Sequence, residues 1–128
     1  MKVILDTNFL IYCAKNKFDY IDEINNFLNE KYDLVVPLQV INELKKLKDD
    51  RFKKVSGKDK AAIDLALQLI EKNNLKKVNP SGENTDQAII NLSRKDNKNI
   101  VATLDREMRT ILGRVLLINR RKRLMLTR

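Results

Sequence analysis

The chain has 128 residues, 43% hydrophobic and 34% charged, which is enough for the core of one domain and too apolar for a disordered chain. One cysteine and no histidine exclude an intramolecular disulfide, an imidazole base and a multi-thiolate metal site. Twenty-six basic residues against 17 acidic ones give a net charge of +9, which suits a polyanionic partner. Aromatic residues make up only 5%, with no Trp, so a base-stacking platform is not expected. The basic excess is local. Residues 98–128 hold nine basic and two acidic groups, and residues 31–60 hold nine and five. No uninterrupted apolar stretch approaches a membrane span, and strand residues begin at about Lys2, so a cytoplasmic chain is expected.

Val3-Ile4-Leu5 is an unbroken apolar run that stops at Asp6. Such a run fits a strand buried on both faces of a parallel sheet, where ligands bind beyond the carboxyl ends of the strands. A helix is expected to begin at about Phe9, with Cys13 as a small core residue. Ile21, Ile24, Phe27 and Leu28 share one face of a helix expected over Phe18–Lys31. Leu34–Val36 reads as the second strand. Pro37 then opens a helix from Leu38 to about Lys48 that carries Glu43, Lys45 and Lys46. Asp49–Lys60 is charged and reads as a loop before a helix at about Asp59–Lys72. Lys77-Val78 is a short third strand, and Asn79-Pro80-Ser81-Gly82 is turn chemistry. Asn84 or Thr85 caps a helix running to about Lys95 that carries Asp86. Ile100–Thr103 is the fourth strand, with Asp105 just past it. A short helix from Asp105 to about Leu112 stops at Gly113. Val115–Ile118 is the fifth strand, and Leu124–Leu126 adds an edge strand after the basic turn Arg120–Arg123. This alternation predicts an α/β fold: a parallel sheet with helices on both faces.

Two strands therefore end in acids, Asp6 and Asp105, and two helix starts carry Asp86 and Glu43. Strand ends and the helix starts that follow them share one edge of the sheet, so four carboxylates are expected on one rim. Crowded like charges raise each other's pKa and oppose folding. A divalent cation relieves this, and oxygen ligands without His or Cys favour Mg²⁺ or Mn²⁺ over Zn²⁺. Such an ion activates water for phosphodiester hydrolysis without an imidazole. The bland alternative is that these acids only cap helices.

With Asp6-Thr7-Asn8, Val40-Ile41-Asn42-Glu43-Leu44, Thr85-Asp86-Gln87-Ala88-Ile89 and Val101-Ala102-Thr103-Leu104-Asp105 in order, the chain resembles the PIN-domain ribonucleases along nearly its whole length. Within them it is similar to archaeal PIN proteins, to VapC-type toxins and to the small-subunit-processome nucleases. The resemblance implies one PIN domain over residues 1–128, a three-layer fold with sheet order 3-2-1-4-5, and endonuclease activity on single-stranded RNA with Mg²⁺ or Mn²⁺. It implies Asp6, Glu43, Asp86 and Asp105 as catalytic and metal residues, with Asn8 and Thr103 orienting Asp6 and Asp105. Lys45, Lys46, Arg106 and Arg109 are the expected RNA contacts, the alternative for the two arginines being that they only solvate their helix. Gln87 stands where many relatives carry an acid, which leaves the number of metals open. The roles that fit are RNA or rRNA processing and the toxin of a toxin–antitoxin pair. The expected partners are RNA, an antitoxin or ribosome-assembly factors, and a second copy of the chain, with no membrane. The contrasting reading is an inactive PIN module that binds RNA or a protein.

Overall fold

A computed structural model describes residues 1–49 and 56–127. Its strands are β1 (Lys2–Leu5), β2 (Asp33–Pro37), β3 (Lys76–Val78), β4 (Ile100–Ala102), β5 (Val115–Ile118) and β6 (Leu124–Leu126). Its helices are α1 (Thr7–Lys15), α2 (Tyr20–Phe27), α3 (Leu38–Asp49), α4 (Gly57–Lys72), α5 (Thr85–Ser93) and α6 (Arg106–Leu112). The strands form one sheet in the order β3-β2-β1-β4-β5-β6. All neighbours are parallel except β5 and β6, which form an antiparallel hairpin. The α/β class and the order 3-2-1-4-5 expected from the sequence are therefore present, with β6 added at the edge.

The core explains why β1 is central. Val3, Ile4 and Leu5 are fully buried, because β1 pairs with β2 on one side and β4 on the other. Phe9, Leu10 and Cys13 of α1 face the core, and the Phe9 ring meets Tyr20 edge-on at 6.3 Å. Val40 and Leu44 of α3, Ile63 and Ile70 of α4, and Ile89 of α5 join the same cluster. Ion pairs from Lys15 to Asp59 and from Lys48 to Asp64 tie α4 to α1 and α3 at their exposed edges.

Several element ends differ from those expected, and local capping sets each one. Helix α2 begins at Tyr20 rather than Phe18, because the Asp19 carboxylate accepts from the Asp22 amide. It ends at Phe27, and Leu28 is already extended. Helix α4 starts at Gly57, ahead of the expected Asp59, because Ser56 accepts from the Asp59 amide. The rest of the expected loop, residues 50–55, lies outside the described residues. Helix α5 ends at Ser93, whose hydroxyl donates to the Ile90 carbonyl. Gly113 ends α6 with φ +76°, a conformation that costs glycine little. Among the described residues no helix is long and apolar enough to cross a membrane.

Candidate active site

Asp6 is the first residue past β1 and the N-cap of α1. It is 4% exposed. Its Oδ1 accepts from the Thr7 amide at 2.7 Å, and its Oδ2 accepts from the Thr103 hydroxyl at 2.7 Å. Its backbone amide donates to the Ala102 carbonyl, which extends the β1–β4 pairing to the acid itself. Thr103, 1% exposed, also accepts from the Asp105 amide at 3.1 Å. One buried hydroxyl thus sits between the two strand-end acids. Asn8 acts on the backbone, its Oδ1 accepting from the Leu104 amide at 3.0 Å. Asn8 and Thr103 therefore fix the turn that carries Asp105, and Thr103 also holds Asp6.

Burial pushes the Asp6 carboxyl up to about 6. The hydrogen bonds from Thr103 and Thr7 oppose that rise, and the charges of Asp86 and Glu43 add to it. Asp86 opens α5, whose N-cap Asn84 accepts from the Gln87 amide. Its carboxyl also lies above the usual range, first through the partial desolvation of its rim position, then through Asp105, Glu43 and Glu107. The four expected acids are thus brought to one rim within electrostatic reach of one another. Among the described residues, however, no three acid, His or Cys side chains already stand close enough to enclose an ion. Mutual repulsion of unpaired carboxylates favours that spread. Asp105 is also the cap of α6, its Oδ1 accepting from the Glu107 amide at 2.9 Å, so the capping role open to it is occupied.

Two grooves flank this rim. One, of about 590 Å³, runs between Glu43 and Lys46 of α3 and the Gly82–Thr85 segment. The other, of about 440 Å³, runs from Thr103 and Asp105 past Arg106 and Arg109 to the β5–β6 hairpin. Lys46, Arg106 and Arg109 therefore border the rim, while Lys45 is exposed on α3 and lines neither groove. The loop before α5 is pinned from both sides. Gln39 of α3 donates to the Pro80 carbonyl at 2.6 Å, and Asn91 of α5 donates to the Ser81 carbonyl at 2.9 Å. These bonds set the spacing of Glu43 and Asp86. The Gln87 side-chain amide donates to Asn91 at 2.8 Å, one turn along its own helix. Two residues escaped the sequence reading. Glu107 is a fifth acid near Asp86, and Arg120 lines the second groove.

A family model described as "PIN like domain" matches residues 3–123. The chain belongs to the PIN-like domain family. This PIN-like domain is 39% identical over 108 residues to ribonuclease VapC4 of Methanocaldococcus jannaschii, covering 84% of the chain and 79% of that protein. Its fold resembles that in a structure of the PIN domain endonuclease Utp24, with a TM-score of 0.74 and 21% identity over 96% of this chain and 90% of the matched chain. A domain of a functionally unknown protein from Methanocaldococcus jannaschii gives a TM-score of 0.52 at 17% identity, over 88% of the chain and 84% of that domain. Both likenesses concern the fold.

Proposed function

We propose that the chain is a metal-dependent endoribonuclease that hydrolyses phosphodiester bonds in single-stranded RNA. The observation that carries this reading is Asp6. A carboxylate is buried at the end of the central strand, held by two hydrogen bonds, with Asp86 and Glu43 within electrostatic reach. A fold gains nothing from gathering further acids on the rim beside a buried one, whereas a cation site needs them. The kinship with a VapC ribonuclease points the same way.

The donor set fits a hard divalent ion: every candidate ligand is a carboxylate oxygen. Asp6 and Asp86 would hold Mg²⁺ or Mn²⁺, with Glu43 and Asp105 completing the set or binding water. When bound, the ion lowers the pKa of water and offsets charge on the scissile phosphate. The chain's own contribution is placement. The Thr103 hydroxyl keeps one Asp6 oxygen fixed, and its bond favours the ionised carboxylate that a cation requires. Asn8 fixes the Leu104 amide, and so the path of the chain into Asp105. Lys46, Arg106 and Arg109 supply positive charge on either side of the acids, where an RNA strand would lie.

Of the two cellular roles, the VapC kinship favours a toxin with an antitoxin partner over an RNA-processing enzyme. The decisive experiment incubates the purified chain with labelled single-stranded RNA, with Mg²⁺ or Mn²⁺ and with EDTA. Internal cleavage that EDTA abolishes is expected. Undiminished cleavage without metal would refute the metal role, and tight binding with no cleavage would identify an inactive RNA-binding module instead.

A further inference from the structure

The second groove carries more than positive charge. Its floor is the outer face of the β5–β6 hairpin. Leu117 and Met125 are register partners across the two strands, so their side chains lie together on one face, with Val115 two residues before Leu117. Met125 is 40% exposed, so part of this apolar side chain stands open to the groove. The inner wall is Thr103, Leu104 and Asp105, the segment that also holds Asp6. Arg106 and Arg109 of α6 form one side and Arg120 the far end. None of these three arginines makes an ion pair among the described residues, although a cluster of acids lies nearby.

The far end is built to stay in place. The hairpin turn closes through Asn119, whose backbone amide donates to the Arg123 carbonyl at 2.8 Å. Its Oδ1 accepts from the amides of Arg121 and Arg123, so the side chain is committed to the turn. Lys122 takes the positive φ, 60°, that the turn requires. Because β5 runs parallel to β1 and β4, this turn emerges on the same edge of the sheet as the carboxylates.

We propose that this groove is a nucleotide subsite for the RNA strand, one step from the scissile bond, an inference that rests on the endoribonuclease reading above. A base lies with its face on Leu117 and Met125, and the phosphates flanking it lie against Arg106, Arg109 and Arg120. The volume of about 440 Å³ is of the size that holds a single small ligand. Charge complementarity selects the occupant: three guanidiniums without an ion pair among the described residues, around an apolar floor, suit an unstacked base between two phosphates. A flat aliphatic and thioether floor offers no hydrogen-bond code, so the subsite accepts any base. It requires that base to be out of a duplex, since a paired and stacked base cannot turn its face to the floor. Single-strand selectivity without sequence selectivity follows.

The test uses the full chain carrying Asp6→Asn, so that the probe survives. The probe is a fluorescein-labelled twelve-nucleotide oligouridylate, read by anisotropy over a salt series. Met125→Glu is expected to weaken binding at least tenfold. Arg109→Ala with Arg120→Ala is expected to do the same and to flatten the slope of log affinity against log salt by about 1.4, roughly 0.7 for each phosphate contact on a single strand. Lys45→Ala with Lys46→Ala should change affinity less than the groove variants. A 4-thiouridine version should crosslink to the peptide holding Met125. The groove and lysine changes alter exposed groups, and circular dichroism and Tm unchanged from the Asp6→Asn parent would verify their folds. Unchanged affinity in both groove variants, crosslinks confined to α3, no binding by the parent, or displacement of the probe by polyglutamate at equal concentration would each overturn the proposal. The last result would assign the groove to an acidic protein. The two readings separate cleanly. Absent cleavage by the unmutated chain, with groove binding intact, removes the nuclease and not the subsite. Normal cleavage with KM unchanged by Met125→Glu removes the subsite and not the nuclease.

Discussion

The hydroxyl of Thr103 donates a 2.7 Å hydrogen bond to Asp6, and both residues are almost wholly buried at the junction of β1 and β4. A carboxylate with this little water beside it is stable only if something offsets its charge. The described residues supply two hydrogen bonds and no cationic partner, and burial still holds the carboxyl at about 6.

Asp6→Asn tests that imbalance without RNA. The folded carboxyl titrates at about 6 against an ordinary 3.8, so the folded chain binds this proton more tightly than the unfolded chain. The contribution of Asp6 to stability is then greatest below about pH 4 and falls as pH rises to about 6, where its loss levels off at about 3 kcal/mol. The substitution removes that loss. Without metal, the variant is expected to melt at least about 5 °C above the parent at pH 7.5, with the gap closing towards pH 4. The introduced carboxamide can donate to Thr103, whose proton then turns to Asn8 Oδ1, 3.3 Å away. Thermal melts from pH 4 to 8 decide this; equal melting points at pH 7.5 would show that the buried charge is already compensated.

Thr103→Val keeps the shape and removes the hydroxyl's bonds to Asp6 and Asn8 and from the Asp105 amide. A stability loss of about 1–3 kcal/mol is expected, since the Asp105 amide and one Asp6 oxygen lose their partner. Because that bond lowers the Asp6 pKa, its loss moves ionisation to higher pH. The acidic limb of the kcat profile should shift upward while KM for RNA holds, and Thr103→Ser should restore both. A profile that only scales down would make Thr103 a packing residue.

Metal should register as stability before it registers as cleavage. Mn²⁺ is expected to raise Tm at pH 7.5 with the logarithm of its concentration, reaching about 2.7 kcal/mol at a hundredfold excess over its dissociation constant. The gain should shrink at pH 5, where the ion must displace a proton from Asp6. It should vanish in Asp6→Asn and in Asp86→Asn. A Tm indifferent to Mn²⁺ in the parent would count against the cation site.

Gly82→Ala probes the loop that spaces Glu43 from Asp86. A Cβ at Gly82 would collide with the backbone of Gln87 and Ala88 in the first turn of α5. Backbone has no rotamer to yield, so a cost of about 1–3 kcal/mol is expected. The displaced helix start should also weaken the Mn²⁺-induced rise in Tm. A variant as stable and as metal-responsive as the parent would show that the loop relaxes freely.

The parts of this molecule legible in its sequence were those governed by burial on two faces. Val3-Ile4-Leu5 and Ile100-Val101-Ala102 admit one reading, and Asp6 and Asp105 mark where each ends. Helix ends were less legible, because one side-chain bond moves them. Asp19 shortened α2 at its start, and Ser56 lengthened α4. Glu107 went unnoticed because an acid in a first turn is what a helix dipole favours anyway. The floor of the second groove was hidden for another reason. Pairing Leu117 with Met125 depends on hairpin register, which a five-residue turn leaves open to several choices.

The bond between Thr103 and Asp6 joins residues 97 apart in sequence. Strand β1 has no neighbour on its β4 side until synthesis has passed Ala102. Local helices and the β5–β6 hairpin form over short distances, whereas this closure spans nearly everything between. A nascent or truncated chain lacking β4 cannot hold Asp6 as the finished molecule does. The carboxylate rim therefore forms only once β4 has been made, and a chain stopped before it leaves Asp6 without Thr103.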